Sequence, residues 1–160
     1  MEKRKKYIFR TIFGILSIII AVIIFMFSSQ NSTESSKTSD GVIKAIIEIL
    51  PNTKNLSEDK KDEIIDNMTF FIRKIAHFSI YALLGINVMA FLLTFNNNIR
   101  KQLLIALLTC IIYAISDEFH QMFSDGRSPM IRDVFIDGLG SLAGSGIVGI
   151  IYHKFGKTKK

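Results

Sequence analysis

The chain has 160 residues, 49% hydrophobic and 21% charged, with a formal net charge of +6. Its apolar residues come in long blocks rather than at an amphipathic period, and the mean hydropathy of +0.33 argues against a soluble domain. The basic residues flank those blocks, which is a topology signal, so no nucleic-acid partner is expected. Cys110 is the only cysteine, which excludes an intramolecular disulfide and a cysteine-built zinc site and suits a small buried packing role.

A helix needs about 20 apolar residues to cross a hydrocarbon core about 30 Å thick. Block 7–27 satisfies this directly. It follows Lys3, Arg4, Lys5 and Lys6, is long for a secretory h-region, and leads into no A-x-A-like site. It therefore reads as an uncleaved span that also targets the chain.

A loop, 28–74, comes next. Its first part, 28–40, is rich in Ser and Thr and is expected to be irregular. Val42, Ile43, Ile46, Ile47, Ile49 and Leu50 then form a short apolar stretch ended by Pro51. That stretch predicts an amphipathic helix on the membrane surface or over the bundle. A further helix starts near Ser57, a suitable N-cap, and carries Ile64, Ile65 and Met68 on one side. It runs on into the second span, 75–95. The third and fourth spans are 103–123 and 134–152. The expected fold is all-α: one polytopic domain, 1–160, built as a four-transmembrane-helix bundle with a helical loop between helices 1 and 2.

The basic N-terminal run, Arg100 with Lys101, and the tail residues Lys154, Lys157, Lys159 and Lys160 fall on one side. By the positive-inside rule that side is the cytoplasm, so both termini are expected there. The 28–74 loop and the turn around 124–132 then face outward.

Depth points to the chemistry. The third block is purely apolar only over 103–115, about 20 Å at about 1.5 Å per residue, which is short of the core thickness. To finish crossing, the helix must carry Asp117, Glu118, His120 and Gln121 into the outer leaflet. The second span enters with Arg73 and Lys74, and His77 and Tyr81 continue the stripe from Arg73 at i+4 steps. The fourth enters with Arg132 and Asp133, followed by Asp137, Ser141 and Ser145. Gly140 and Gly144 form a G-x-x-x-G pair suited to close helix approach, within the chain or between copies.

Ionisable groups at this depth are costly and usually pair or face a cavity. Arg73, Arg127 and Arg132 are the expected partners of Asp117, Glu118, Asp133 and Asp137. The binding candidates are thus Arg73, His77, Tyr81, Asp117, Glu118, His120, Gln121, Arg127, Asp133 and Asp137. His77, with an unperturbed pKa of about 6.5, and Glu118 are the candidate acid and base. His77, Asp117, Glu118, His120 and Asp137 are metal-ligand types, but their spacing matches no diagnostic set, and no metal or cofactor is expected.

Three motifs resemble the VanZ-like family of small bacterial membrane proteins. They are Arg73-Lys-Ile-Ala-His77-Phe-x-x-Tyr81-x-x-Leu-Gly85, Ser116-Asp-Glu118-Phe-His-Gln121-x-Phe-x-x-Gly126-Arg127 and Asp133-x-x-x-Asp137-x-x-Gly140-x-x-x-Gly144. Phe27 to Gln30, at the end of the first span, is also similar. Many relatives carry Asn where this chain has Asp137.

The resemblance implies four spans in the bacterial cytoplasmic membrane and a link to teicoplanin resistance. Three functions remain open at this point. One is an envelope protein that binds membrane lipid headgroups, a lipid-linked cell-wall intermediate or a lipoglycopeptide. Another is a membrane enzyme using His77 or Glu118 with Arg127. The third is a structural or partner-binding bundle.

Overall fold

The computed structural model describes residues 2–50, 56–95, 98–124 and 130–155. Among them there are five helices and no strand: α1 (Glu2–Ser28), α2 (Ser32–Ile49), α3 (Glu58–Leu93), α4 (Ile99–Gln121) and α5 (Ile131–Phe155). Four of these, α1, α3, α4 and α5, are long and apolar enough to cross a membrane. Most of their apolar side chains stay exposed, Ile18, Phe25, Leu104, Ile112, Phe135 and Ile150 among them. In water such a surface would drive aggregation; around a membrane bundle it is the lipid face. The chain is a multi-pass helical membrane protein.

The α3 helix is the hub, and α5, α1, α2 and α4 all pack on it. Its closest partner is α5, for a steric reason. A Cβ at Gly144 would run into the Ala82 carbonyl, one at Gly140 into the Phe78 carbonyl, and one at Gly85 into the Ser141 backbone. Small residues on both helices let the two backbones touch, which is how apolar helices gain van der Waals contact in lipid. The Gly140–Gly144 face is therefore packed on α3 within the chain.

The core is modest and runs along the α3 seam. Ile24, Tyr81, Leu84, Cys110 and Ala114 form one cluster, and Met89, Leu93 and Ala106 form another toward the chain termini. Cys110 is the buried packing residue its neighbours suggested. At the terminal end, the Arg10 guanidinium donates to Thr94 Oγ1 and to its carbonyl, each at 3.1 Å, and lies 3.6 Å from the Phe95 ring centroid. These contacts tie the start of α1 to the end of α3.

Two features of the 28–74 loop differ from expectation or refine it. Segment 28–40 is not irregular, because α2 begins at Ser32. Asn31 Oδ1 accepts from the Glu34 N–H at 2.8 Å, and the Glu34 carboxylate accepts from the Asn31 N–H. This capping box satisfies the first-turn donors and outweighs the poor helix propensity of the Ser/Thr run. The buried stripe of α2 is Ser35, Ser39, Ile43 and Ile47, one residue per turn, and it seats against Ile65 of α3 with Ile64 and Ile72 alongside. So α2 docks on the extension of α3 that precedes the span. As the sequence suggested, α3 is continuous from Glu58, just after Ser57, down to Leu93.

Candidate functional site

The polar stripes of α3, α4 and α5 meet at the end of the bundle nearest α2. The i+4 spacing of His77 and Tyr81 puts both on the side of α3 facing α5 and α4, and the same spacing aligns Asp137, Ser141 and Ser145 on α5. Only 3% of Asp117 is exposed and 2% of Asp137, while Tyr81 and Ser141 are fully buried. His77 Nδ1 lies 3.6 Å from Asp137 Oδ1. The Tyr81 hydroxyl lies beside the Asp117 carboxyl. Gln121, one turn on from Asp117, donates from Nε2 to Asp117 Oδ2 at 3.3 Å. One ligand-type atom each from His77, Asp117 and Asp137 fall within 4.8 Å of one another.

The charge partners differ from those expected. Lys74, not an arginine, forms the ion pair with Asp133, across from α3 to α5. Glu118 accepts the backbone N–H of Met130, the residue before α5, so it stitches α4 to the start of α5. Arg73 is half-buried and has no acidic partner among the described residues. Arg132 is exposed; its guanidinium approaches Met130 Sδ and lies 5.2 Å from the Phe70 ring centroid. Lys74 Nζ is 5.3 Å from the same ring. Phe70 thus sits under two cations at the mouth of the cluster. Arg127, the remaining expected partner, lies outside the described residues.

His120 is not part of the acidic cluster. It faces α1, stacked on Phe25 at 4.3 Å between ring centroids, with Nε2 3.1 Å from Ser29 Oγ. The polar stripes of the sequence lie on the second, third and fourth spans, yet the last turn of α1 also reaches the site. Ser28 is 1% exposed and lies beside the Asp117 carboxyl. The signal for this was the polar pair Ser28–Ser29 closing an apolar span at the depth of Asp117. A further tie, Tyr113 Oη to the Ala21 carbonyl at 2.6 Å, holds α4 against α1 below it.

A cavity of about 440 Å³ lies elsewhere, between α2 and the first turns of α3, lined by Lys44, Ile47, Glu48, Glu58, Lys61, Asp62 and Ile65. The candidate acid and base, His77 and Glu118, do not converge there: His77 meets Asp137 and Glu118 meets Met130.

The site therefore has two layers. At the mouth are Lys74 and Arg132 around Phe70, with Arg73 next to Lys74 on α3; of the three, only Lys74 has an acidic partner among the described residues. Beneath is a buried set of carboxyls, a histidine and a tyrosine supplied by three helices, with Ser28 of a fourth. Comparison with known proteins agrees with the motifs that build both layers. No curated protein and no solved structure matches the chain. The VanZ/LLP1 family model matches residues 13–152, which reaches into all four spans and takes in every candidate residue. The chain belongs to the VanZ/LLP1 family, the VanZ-like membrane proteins its motifs resemble.

Proposed function

We propose that this VanZ-type envelope protein holds an anionic headgroup at the mouth of its polar cluster, using Arg73 and Arg132. The headgroup belongs to a membrane lipid, a lipid-linked cell-wall intermediate or a lipoglycopeptide. One observation carries the reading. Lys74 is committed to Asp133, while Arg73 and Arg132 have no acidic partner among the described residues. An arginine with an open fork at a lipid boundary suits bidentate capture of phosphate or carboxylate. Phe70 and the exposed Phe71 beside it supply apolar surface for the adjoining acyl chain.

The positive-inside pattern supports an orientation with this mouth in the outer leaflet of the bacterial cytoplasmic membrane and both termini in the cytoplasm. Family membership supports the finer reading that the protein contributes to teicoplanin-type resistance. The enzymatic alternative is less favoured, because His77 and Glu118 are engaged with different partners.

The test is ligand binding to the purified protein in nanodiscs, with phosphatidylglycerol and undecaprenyl phosphate as probes. Charge-assisted hydrogen bonds contribute about 1.5–3 kcal/mol each, so losing both arginines should weaken binding by roughly 100-fold or more. Unchanged affinity in the Arg73→Ala/Arg132→Ala double variant would sink the reading. Expression in a sensitive host, scored for teicoplanin against vancomycin, checks the finer claim.

A second reading has its own support. The Lys74–Asp133 pair and the Glu118–Met130 bond each join two helices, which suits a site that only fastens the bundle. That reading predicts that the arginine variants bind normally and that substitutions at Lys74 or Glu118 lower protein level alone.

A further inference from the structure

We propose that His77, Asp117 and Asp137 form a site for one divalent first-row transition-metal cation of the Zn²⁺ type, with the Tyr81 hydroxyl beside it. The inference is independent of the arginine mouth above and concerns the buried layer.

Geometry is the first support. The three ligand-type atoms come from three different helices and lie within 4.8 Å of one another. Two ligand atoms on a tetrahedral zinc with bonds of about 2.0–2.1 Å are about 3.4 Å apart. His77 Nδ1 and Asp137 Oδ1 stand at 3.6 Å, already close to that separation. The widest pair has to close by roughly 1.4 Å, which a rotation of a carboxylate side chain supplies.

The second support is independent of spacing. Asp117 Oδ1, Asp137 Oδ1, His77 Nδ1 and Tyr81 Oη are all buried and without a hydrogen bond among the described residues. Buried polar atoms are nearly always satisfied, yet none of these four makes a bond within 3.5 Å, and His77 Nδ1 and Asp137 Oδ1 only face each other at 3.6 Å, which leaves a place for a shared ligand between them. A cation suits that place, because two carboxyls face it. Lys74, the cation next to them on α3, is spent on Asp133. A dication balances two carboxylates and accepts a lone pair from neutral imidazole, satisfying three of the orphans together.

The donor set narrows the ion. One nitrogen and two carboxylate oxygens, with no thiolate, suit Zn²⁺ or Mn²⁺, whereas Ca²⁺ takes six to eight oxygens. A second set of groups is already in place. Gln121 holds Asp117 Oδ2, which leaves Oδ1 for the ion, and Ser28 lies beside the same carboxyl. The side chain of His77 is 23% exposed and that of Asp137 only 3%, so the ion would enter along the imidazole. Sequence spacing could not reveal this set, since its members are 40 and 20 positions apart and meet only once the helices pack.

The experiment uses the full chain in nanodiscs, stripped with chelator and titrated first with Co²⁺ and then with Zn²⁺. The expected result is a Co²⁺ absorption spectrum of low coordination number that saturates at one ion per chain and is displaced by Zn²⁺. Asp117→Asn, Asp137→Asn and His77→Gln should each weaken Zn²⁺ binding by about 10-fold or more, since each removes a ligand. Asp62→Asn, on α3 but outside the cluster, should leave it unchanged. Zn²⁺ should also raise the melting temperature of the wild type and not of the three ligand variants.

Unchanged binding in those variants overturns the proposal. Should they fail to fold, the wild type decides alone. Monodisperse wild-type protein with no Co²⁺ spectrum and no stoichiometric zinc means that protons, not a metal, neutralise the cluster.

Discussion

Lys74 settles which cation answers which acid at the mouth of the site. It and Asp133 retain only 14% and 18% of their side-chain exposure, so each neutralises a charge that would otherwise stand at a lipid boundary. Removing one partner leaves the other exposed to that cost. Lys74→Met should lower stability by about 1–3 kcal/mol, discounted from a fully buried pair because water still reaches both groups. Lys74→Met combined with Asp133→Asn should recover part of that loss, since no lone charge then remains. Thermal unfolding in detergent across the double-mutant cycle measures the coupling. Additive losses would mean that the pair contributes nothing as a pair. Arg73 stands one residue away and pairs with no described acid, so Arg73→Met should leave the melting temperature nearly unchanged.

At the scale of elements, the α3–α5 contact is set by three small positions. The Gly144 Cα faces the Ala82 backbone, whereas a Cβ at Gly146, two residues on, would meet nothing within 4 Å. The two glycines therefore predict opposite outcomes for the same change. Gly144→Ala must push α5 off α3 and should cost about 1–3 kcal/mol or more, as overpacking does. Gly146→Ala should be neutral or slightly stabilising, because Ala is the better helix former by about 1 kcal/mol. Melting temperatures of the two variants, measured side by side, check the contrast.

The element scale also shows why some of the molecule was legible before any coordinates and some was not. Block length and charge flanks identify the four spans, because a bilayer imposes both. The i+4 stripes of His77–Tyr81 and Asp137–Ser141–Ser145 predict which faces converge. Periodicity carries no information on the rotation of one helix against another, so the Lys74–Asp133 pairing and the turn of His120 toward Phe25 were not readable. The first turns of α2 were readable: Asn31 and Glu34 stand at capping-box spacing, and Ser/Thr composition obscured them.

For the whole molecule, the bundle has two chemically different ends. One holds the α2 helix, the cations around Phe70 and the buried acids beneath them. The other holds the start of α1, the end of α5, the Arg10–Thr94 tie and the first turn of α4 with Arg100 and Lys101. The proposed function requires the first end to face outward, and the distribution of Lys and Arg gives a reason for it. The long α2–α3 segment carries acidic residues freely, while the first turn of α4, the start of α1 and the end of α5 are basic. Orientation can be tested by labelling. Cys110 is buried, so the native chain gives little background. Lys61→Cys in the α2–α3 region should react with a membrane-impermeant maleimide on intact cells. Lys101→Cys, at the start of α4, should react only after the membrane is opened. The reverse pattern would place the arginine mouth in the cytoplasm. Capture of an outer-leaflet headgroup or an extracellular lipoglycopeptide would then be impossible, while the buried metal site, which does not depend on sidedness, would stand.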